Sequence, residues 1–174
     1  VASHRILVID GYNLIYHFPG VGKILERDRD QARRIMVAGL GRYARQKGVQ
    51  IKVVFDGDMR QEDAPVDQEG IQVHYSRFPE KADSLIMRIA EKHRESEDIS
   101  VVTSDGEIDN WCRRKGVHVI PSQNFAHTVG EGSREDAQKK YDHAMGQSEL
   151  KQWIKLFEYG SGTDEEDGPE GGRS

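Results

Sequence analysis

Residues 4–20 read HRILVIDGYNLIYHFPG. Ile6, Leu7, Val8 and Ile9 form an unbroken apolar run, the pattern of a strand covered on both faces. The run ends on a carboxylate, Asp10, followed by Gly-Tyr-Asn. Two later strands end in the same way, VVFDG at Asp56 and VVTSD at Asp105.

Outward from that stretch, strands and helices alternate. Strands are expected over 5–10, 49–57, 70–76, 99–105 and 117–122. Helices are expected over 30–48, 80–96, 106–116 and 148–160. In the first helix Ile35, Val37, Leu40, Tyr43 and Ala44 follow the helical period, and Gly48 marks its end. In the second, Ala82, Leu85, Ile86, Ile89 and Ala90 share a face. Leu150, Trp153, Ile154 and Phe157 form the inner stripe of the last. The periodicity is weak over 123–145. Such alternation implies an α/β fold with a mainly parallel sheet, helices on both faces and right-handed crossovers. Ligands of such sheets bind outside the carboxyl ends of the strands.

All three strand-end aspartates therefore point to one edge. Asp83 joins them from the first turn of the second helix, on the border of its buried stripe, and Asp109 lies one turn beyond Asp105. A single Asp after a strand is commonly a turn former or a helix cap. Several converging carboxylates repel one another unless a cation sits between them. Hard oxygen donors suit Mg²⁺ or Mn²⁺, and such ions activate water for attack on a phosphodiester.

LVIDGYNLIY, VVFDG, KADSLI and VVTSD, in this order over about residues 4–125, resemble the YacP-like NYN domain family, part of the PIN-like nuclease group. The resemblance implies a PIN-like three-layer sandwich with strand order 3-2-1-4-5. It implies a metal-dependent endoribonuclease that cuts single-stranded RNA, free or presented on the ribosome as mRNA. On the family pattern Asp10, Asp83 and Asp105 are the catalytic residues and the ligands of Mg²⁺ or Mn²⁺. Asn13 supports the site, Asp56 sits in the acidic cleft, Ser104 flanks it, and Asp109 matches less closely. Lys81 stands where family members often carry Thr. The opening is also similar to that of the 5′-nucleases acting on DNA flaps, but this chain has no room for their helical arch and DNA-binding helical motif.

Cations near these acids are candidates for phosphate contact: Lys23, Arg27, Arg29 and Arg33 after the first strand, with Arg34, then Arg60, Arg77, Lys81 and Arg88. Tyr12, Tyr16 and Phe18 are candidates for stacking an unpaired base, and the tyrosines are equally candidates for the core. The histidines show no paired spacing typical of zinc. GVGK at 20–23 lacks the spacing and the Ser/Thr of a phosphate loop. Asp10 lacks the second aspartate two residues on that an aspartate-nucleophile phosphatase would carry.

The chain has 174 residues and a net charge of −5. Five acids and one arginine in 161–174 account for most of that charge, so the body is close to neutral. One domain is expected over 4–160, with 123–160 as a C-terminal extension, followed by a disordered acidic tail over 161–174. A single cysteine, Cys112, excludes an internal disulfide and suits the cytoplasm. No apolar run approaches the roughly 20 residues of a membrane span, so no membrane partner is expected. Two other readings compete with the nuclease: a catalytically inactive RNA- or ribosome-binding module, and an acidic interaction domain acting through its tail.

Overall fold

The structure is a computed structural model that describes residues 5–57, 66–95, 98–140 and 147–158. Arg60 and the 161–174 segment, both singled out above, lie outside the described residues. The strands are β1 (Arg5–Asp10), β2 (Gln50–Phe55), β3 (Val66–Gln68), β4 (Ile71–Tyr75), β5 (Asp98–Val102) and β6 (His118–Ile120). The helices are α1 (Gly11–Ile15), α2 (Pro19–Leu25), α3 (Arg29–Lys47), α4 (Ala82–His93), α5 (Gly106–Lys115), α6 (Ser122–Lys140) and α7 (Gln147–Leu156).

Five of the strands are parallel, in the order β4-β2-β1-β5-β6. This is the 3-2-1-4-5 arrangement of the expected strands. The short β3, which the sequence did not announce, adds antiparallel to β4 at the edge. Central β1 pairs with β2 on one side and β5 on the other, with Ile9 level with Val53 and Val102.

Strand alternation divides the apolar run of β1 between two cores. Leu7 and Ile9 face a layer formed with α1, α2, α3, α6 and α7. Ile6 and Val8 face α4 and α5, where they meet Leu85, Ile86, Ile108 and Cys112. Helices on both faces make the three-layer sandwich.

Local signals explain the well-read helices. Asp28 caps α3 by accepting from Gln31 N–H at 2.9 Å, and Gly48 ends it in the left-handed region, at φ 62°. Three helices were not read. The α1 and α2 helices are short, and Gly20 and Gly22 dilute the helical signal of α2 despite Pro19 in its first turn. The weak 123–145 stretch contains most of α6. Its buried stripe runs Phe125, Ala126, Val129, Gly130 and Ser133, in which small and polar residues replace the large apolar ones that a periodicity reading needs.

The α7 helix closes the larger core. Phe157, just past its end, is buried against Phe18, ring centroids 5.3 Å apart, and Trp153, 4.8 Å apart. Gly39 of α3 makes the room, because a Cβ there would stand 2.4 Å from the Phe157 ring. Truncating such a ring removes burial and leaves a cavity. Phe157→Ala is expected to cost about 3–5 kcal/mol in urea unfolding, and a loss under about 1 kcal/mol would mean that this end of the chain does not dock.

Candidate active site

The carboxyl ends of β1, β2 and β5 share one edge, because their connections are all crossovers. Asp10 ends β1 in extended conformation and is the residue before α1, yet its side chain makes no capping bond to that helix. Its Oδ2 instead accepts from the Thr103 hydroxyl at 3.3 Å. Asp10 is pushed up to about 6, first by burial, then by the charge of Asp83 and, more weakly, that of Asp105. The Asn13 N–H and the Thr103 hydroxyl offset part of this. Asp83, half-buried in the first turn of α4, is also raised, by burial and then by Asp105, Asp56 and Glu107, while Lys81 pulls it down. Asp10, Asp83 and Asp105 therefore act on one another electrostatically.

The other predicted acids are committed to local structure in different degrees. Asp105 caps α5, its Oδ1 accepting from Glu107 and Ile108 N–H at 2.9 and 3.0 Å. Thr103 orients this turn by accepting from Asp105 N–H at 3.0 Å. Asp56 Oδ1 accepts from the Ser76 hydroxyl and from Ala82 N–H, both at 2.9 Å. Ala82 opens α4, so Asp56 caps that helix from a neighbouring strand. Asp109 is ion-paired with Arg113 at 2.9 Å, and Glu107, not singled out from the sequence, acts on Asp83.

Asn13 ties three elements together. Its Oδ1 accepts from Ser104 N–H at 3.0 Å and from the Ser122 hydroxyl at 2.6 Å. Ser104 Oγ in turn accepts from Ser122 N–H at 3.2 Å. Thr103, Ser76, Ser122 and Glu107 were missed by sequence reasoning. Thr103 carried the one available signal, a hydroxyl directly after the apolar run of β5.

A cleft of about 280 Å³ opens beside Asp56, lined also by Arg27, Asp28, Arg29, Asp30 and Arg33. Arg33 is fixed: it donates to the Tyr12 hydroxyl at 3.1 Å, pairs with Asp30 and lies 5.4 Å over the Tyr75 ring. The Arg29 guanidinium lies 5.7 Å over the Tyr12 ring, which meets Phe55 edge-on. Lys81 is exposed at the start of α4. Lys23 is exposed in the last turn of α2, a helix packed against α3 and α7. Phe18 belongs to the core, whereas Tyr16 is exposed.

Among the described residues no three His, Cys, Asp or Glu side chains form a ready-made metal centre. The donor chemistry nonetheless fits a hard divalent cation. Asp10 and Asp83 are oxygen donors whose charges are mutually unfavourable, which is what a cation relieves.

The model of the YacP-like NYN domain family matches residues 7–157. The chain belongs to this family. The YacP-like domain has the fold of Rae1 (YacP) from Bacillus subtilis, whose crystal structure matches with a TM-score of 0.65 at 23% identity, covering 78% of this chain and 79% of that one. A mutant of the same protein matches at 0.62 and 20%, covering 87% and 92%. No curated protein matches the sequence. The YacP-like domain thus has a nuclease-like fold, and no helix among its described residues is long and apolar enough to cross a membrane.

The raised Asp10 carboxyl gives this YacP-like domain a pH signature. Folded Asp10 holds its proton to about 6, against 3.8 for an ordinary carboxyl. Between those values the folded state binds more protons than the unfolded one, so this group lowers stability as pH rises. In EDTA, Asp10→Asn is expected to be more stable than the parent above pH 6, by on the order of 1–3 kcal/mol. That advantage should disappear below about pH 4. Thermal melts across this range check it, and a gap independent of pH would show that ionisation of Asp10 is not responsible.

Proposed function

We propose that this domain is a metal-dependent endoribonuclease that cuts single-stranded RNA. The reading is supported above all by Asp10, a carboxylate held half-buried beside the charges of Asp83 and Asp105, with only weak help from Asn13 N–H and the Thr103 hydroxyl. A surface that only bound phosphates would gain nothing from such acids.

Asp10, Asp83 and Asp105 would hold Mg²⁺ or Mn²⁺. Such an ion supplies positive charge for phosphate oxygens and a more acidic water. Thr103 orients Asp10 and the turn that carries Asp105. Asn13, Ser104 and Ser122 hold that turn against α1 and α6. Asp56 would support from the cleft, and Asp109, paired with Arg113, would flank the site. Arg27, Arg29 and Arg33 line the adjoining cleft, where a strand's phosphates would bind. Lys81 adds a cation beside Asp83, Tyr12 holds Arg33, and Lys23 and Arg60 complete the proposed RNA contacts. No side-chain nucleophile is required. We place the activity in the cytoplasm, where the lone, buried Cys112 would stay reduced.

One observation favours a second reading, RNA or ribosome binding without cleavage: no described acid trio is closely gathered. Labelled, unstructured RNA incubated with Mn²⁺ or Mg²⁺ separates the two. The parent is expected to cut internally, and Asp10→Asn and Asp105→Asn to fall to the level seen in EDTA. Asn retains helix capping, so folding should survive. Saturating Mn²⁺, at about 100 times its dissociation constant, should stabilise the parent by about 2.7 kcal/mol and Asp83→Asn by less. Full cleavage by either strand-end variant would remove the site, and an equal Mn²⁺ response would remove Asp83 from it.

A further inference from the structure

Between β4 and α4 lies a loop, Ser76-Arg77-Phe78-Pro79-Glu80-Lys81. Both of its feet are held by one atom: Asp56 Oδ1 accepts from the Ser76 hydroxyl and from Ala82 N–H. Ser76 is buried, and Gly57 lies so close that a Cβ there would stand 2.3 Å from the Ser76 carbonyl oxygen. On the α4 side, Glu80 makes a two-point ion pair with Arg88 at 3.1 and 2.9 Å. The loop is therefore anchored at its feet and on one flank.

Its tip carries Phe78, 85% exposed. An isolated exposed apolar side chain is ordinary on a protein surface. This one differs in where it is held. Arg77 and Lys81 flank it in the same loop, Lys81 acts on Asp83, and Asp83 begins the carboxylate group. An aromatic face between cations, next to carboxylates, has the alternation of a nucleic-acid strand, in which planar bases interrupt charged phosphates. A duplex hides the faces of its bases, so only an unpaired base can lie on such a ring. Among the described residues the other exposed large hydrophobic side chain is Tyr16, on the chain between α1 and α2.

We propose that Phe78 is the stacking platform for an unpaired nucleobase of a single-stranded RNA lying across the carboxylates. The proposal rests on the nuclease reading for its substrate, but its test needs no cleavage. Phe78 binds one base face, the flanking cations take neighbouring phosphates, and Asp56 acts through the loop as a positioning residue.

The experiment measures fluorescence polarisation with the full chain in EDTA. The probes are a labelled oligoadenylate and a ribose–phosphate chain of the same length without bases. Phe78→Ala and Phe78→Leu are expected to weaken oligoadenylate binding roughly 5- to 100-fold. Binding of the base-free chain should stay at the parent value, and Phe78→Trp should keep the parent affinity for both. Unchanged oligoadenylate binding in Phe78→Ala overturns the proposal. So does equal loss on both probes, which would mark a structural role, or a parent chain that binds no oligoadenylate. Cleavage in Mn²⁺ is scored separately, so a chain that stacks bases without cutting is told apart from one that cuts without using Phe78.

Discussion

Asp10 sits where a carboxylate is least comfortable, at the end of the central strand, half-buried and facing other acids. The rest of the edge is arranged around that cost. Burial and the charge of Asp83 raise it to about 6, and the Thr103 hydroxyl and the Asn13 N–H return only part of the loss. A water-exposed turn would have removed the penalty altogether. The parallel sheet does not allow this, because β1 is flanked on both sides and its two neighbours end at the same edge.

The acids at that edge divide by what else they do. Asp56 ties β2 to α4 and Asp105 caps α5, so each has a structural use that would keep it in place without any ligand. Asp10 makes no capping bond, and Asp83 is half-buried among like charges. The case for a cation therefore rests on Asp10 and Asp83, with Asp105 serving both purposes. The common explanation of a post-strand aspartate as a helix cap holds for Asp105, and for Asp56 in an unusual form, because the helix it caps belongs to a different crossover.

The strands and their carboxylate edge were legible because their signals are local and strong, whereas the order of the strands came from the family resemblance. ILVI before Asp10 and VVF before Asp56 are continuous apolar runs, and Gly48 and Gly116 close their helices in the left-handed region. The α6 helix was not legible, because its contacts are made by Ala126, Val129, Gly130 and Ser133, which resemble a polar loop in sequence. Within the site, topology alone grouped Asp10, Asp56 and Asp105 at one edge with Asp83 beside them, and the family resemblance singled out Asp10, Asp83 and Asp105. Asp109 could not be separated from Glu107 in this way. Both lie in the first turn of α5, and only the ion pair with Arg113 shows that Asp109 is engaged elsewhere. Ser76 and Ser122 were invisible for the same reason: their importance lies in partners 20 and 109 residues away.

Asp56 is also the place where cations and carboxylates meet. It lines the arginine cleft, acts on Asp83 and holds the Phe78 loop. Arg33 on the cleft side is already constrained by Tyr12, Tyr75 and Asp30, so little side-chain freedom remains to be lost when it meets a phosphate. A strand laid from that cleft toward Asp83 would pass from fixed positive charge to fixed negative charge. Its phosphates would be attracted at one end and, without a divalent ion, repelled at the other. Binding and metal are then coupled through the same row of residues. On the proposed reading the arginines would set where the strand lies and hold it without metal, and a cation among the carboxylates would draw its phosphates closer to them.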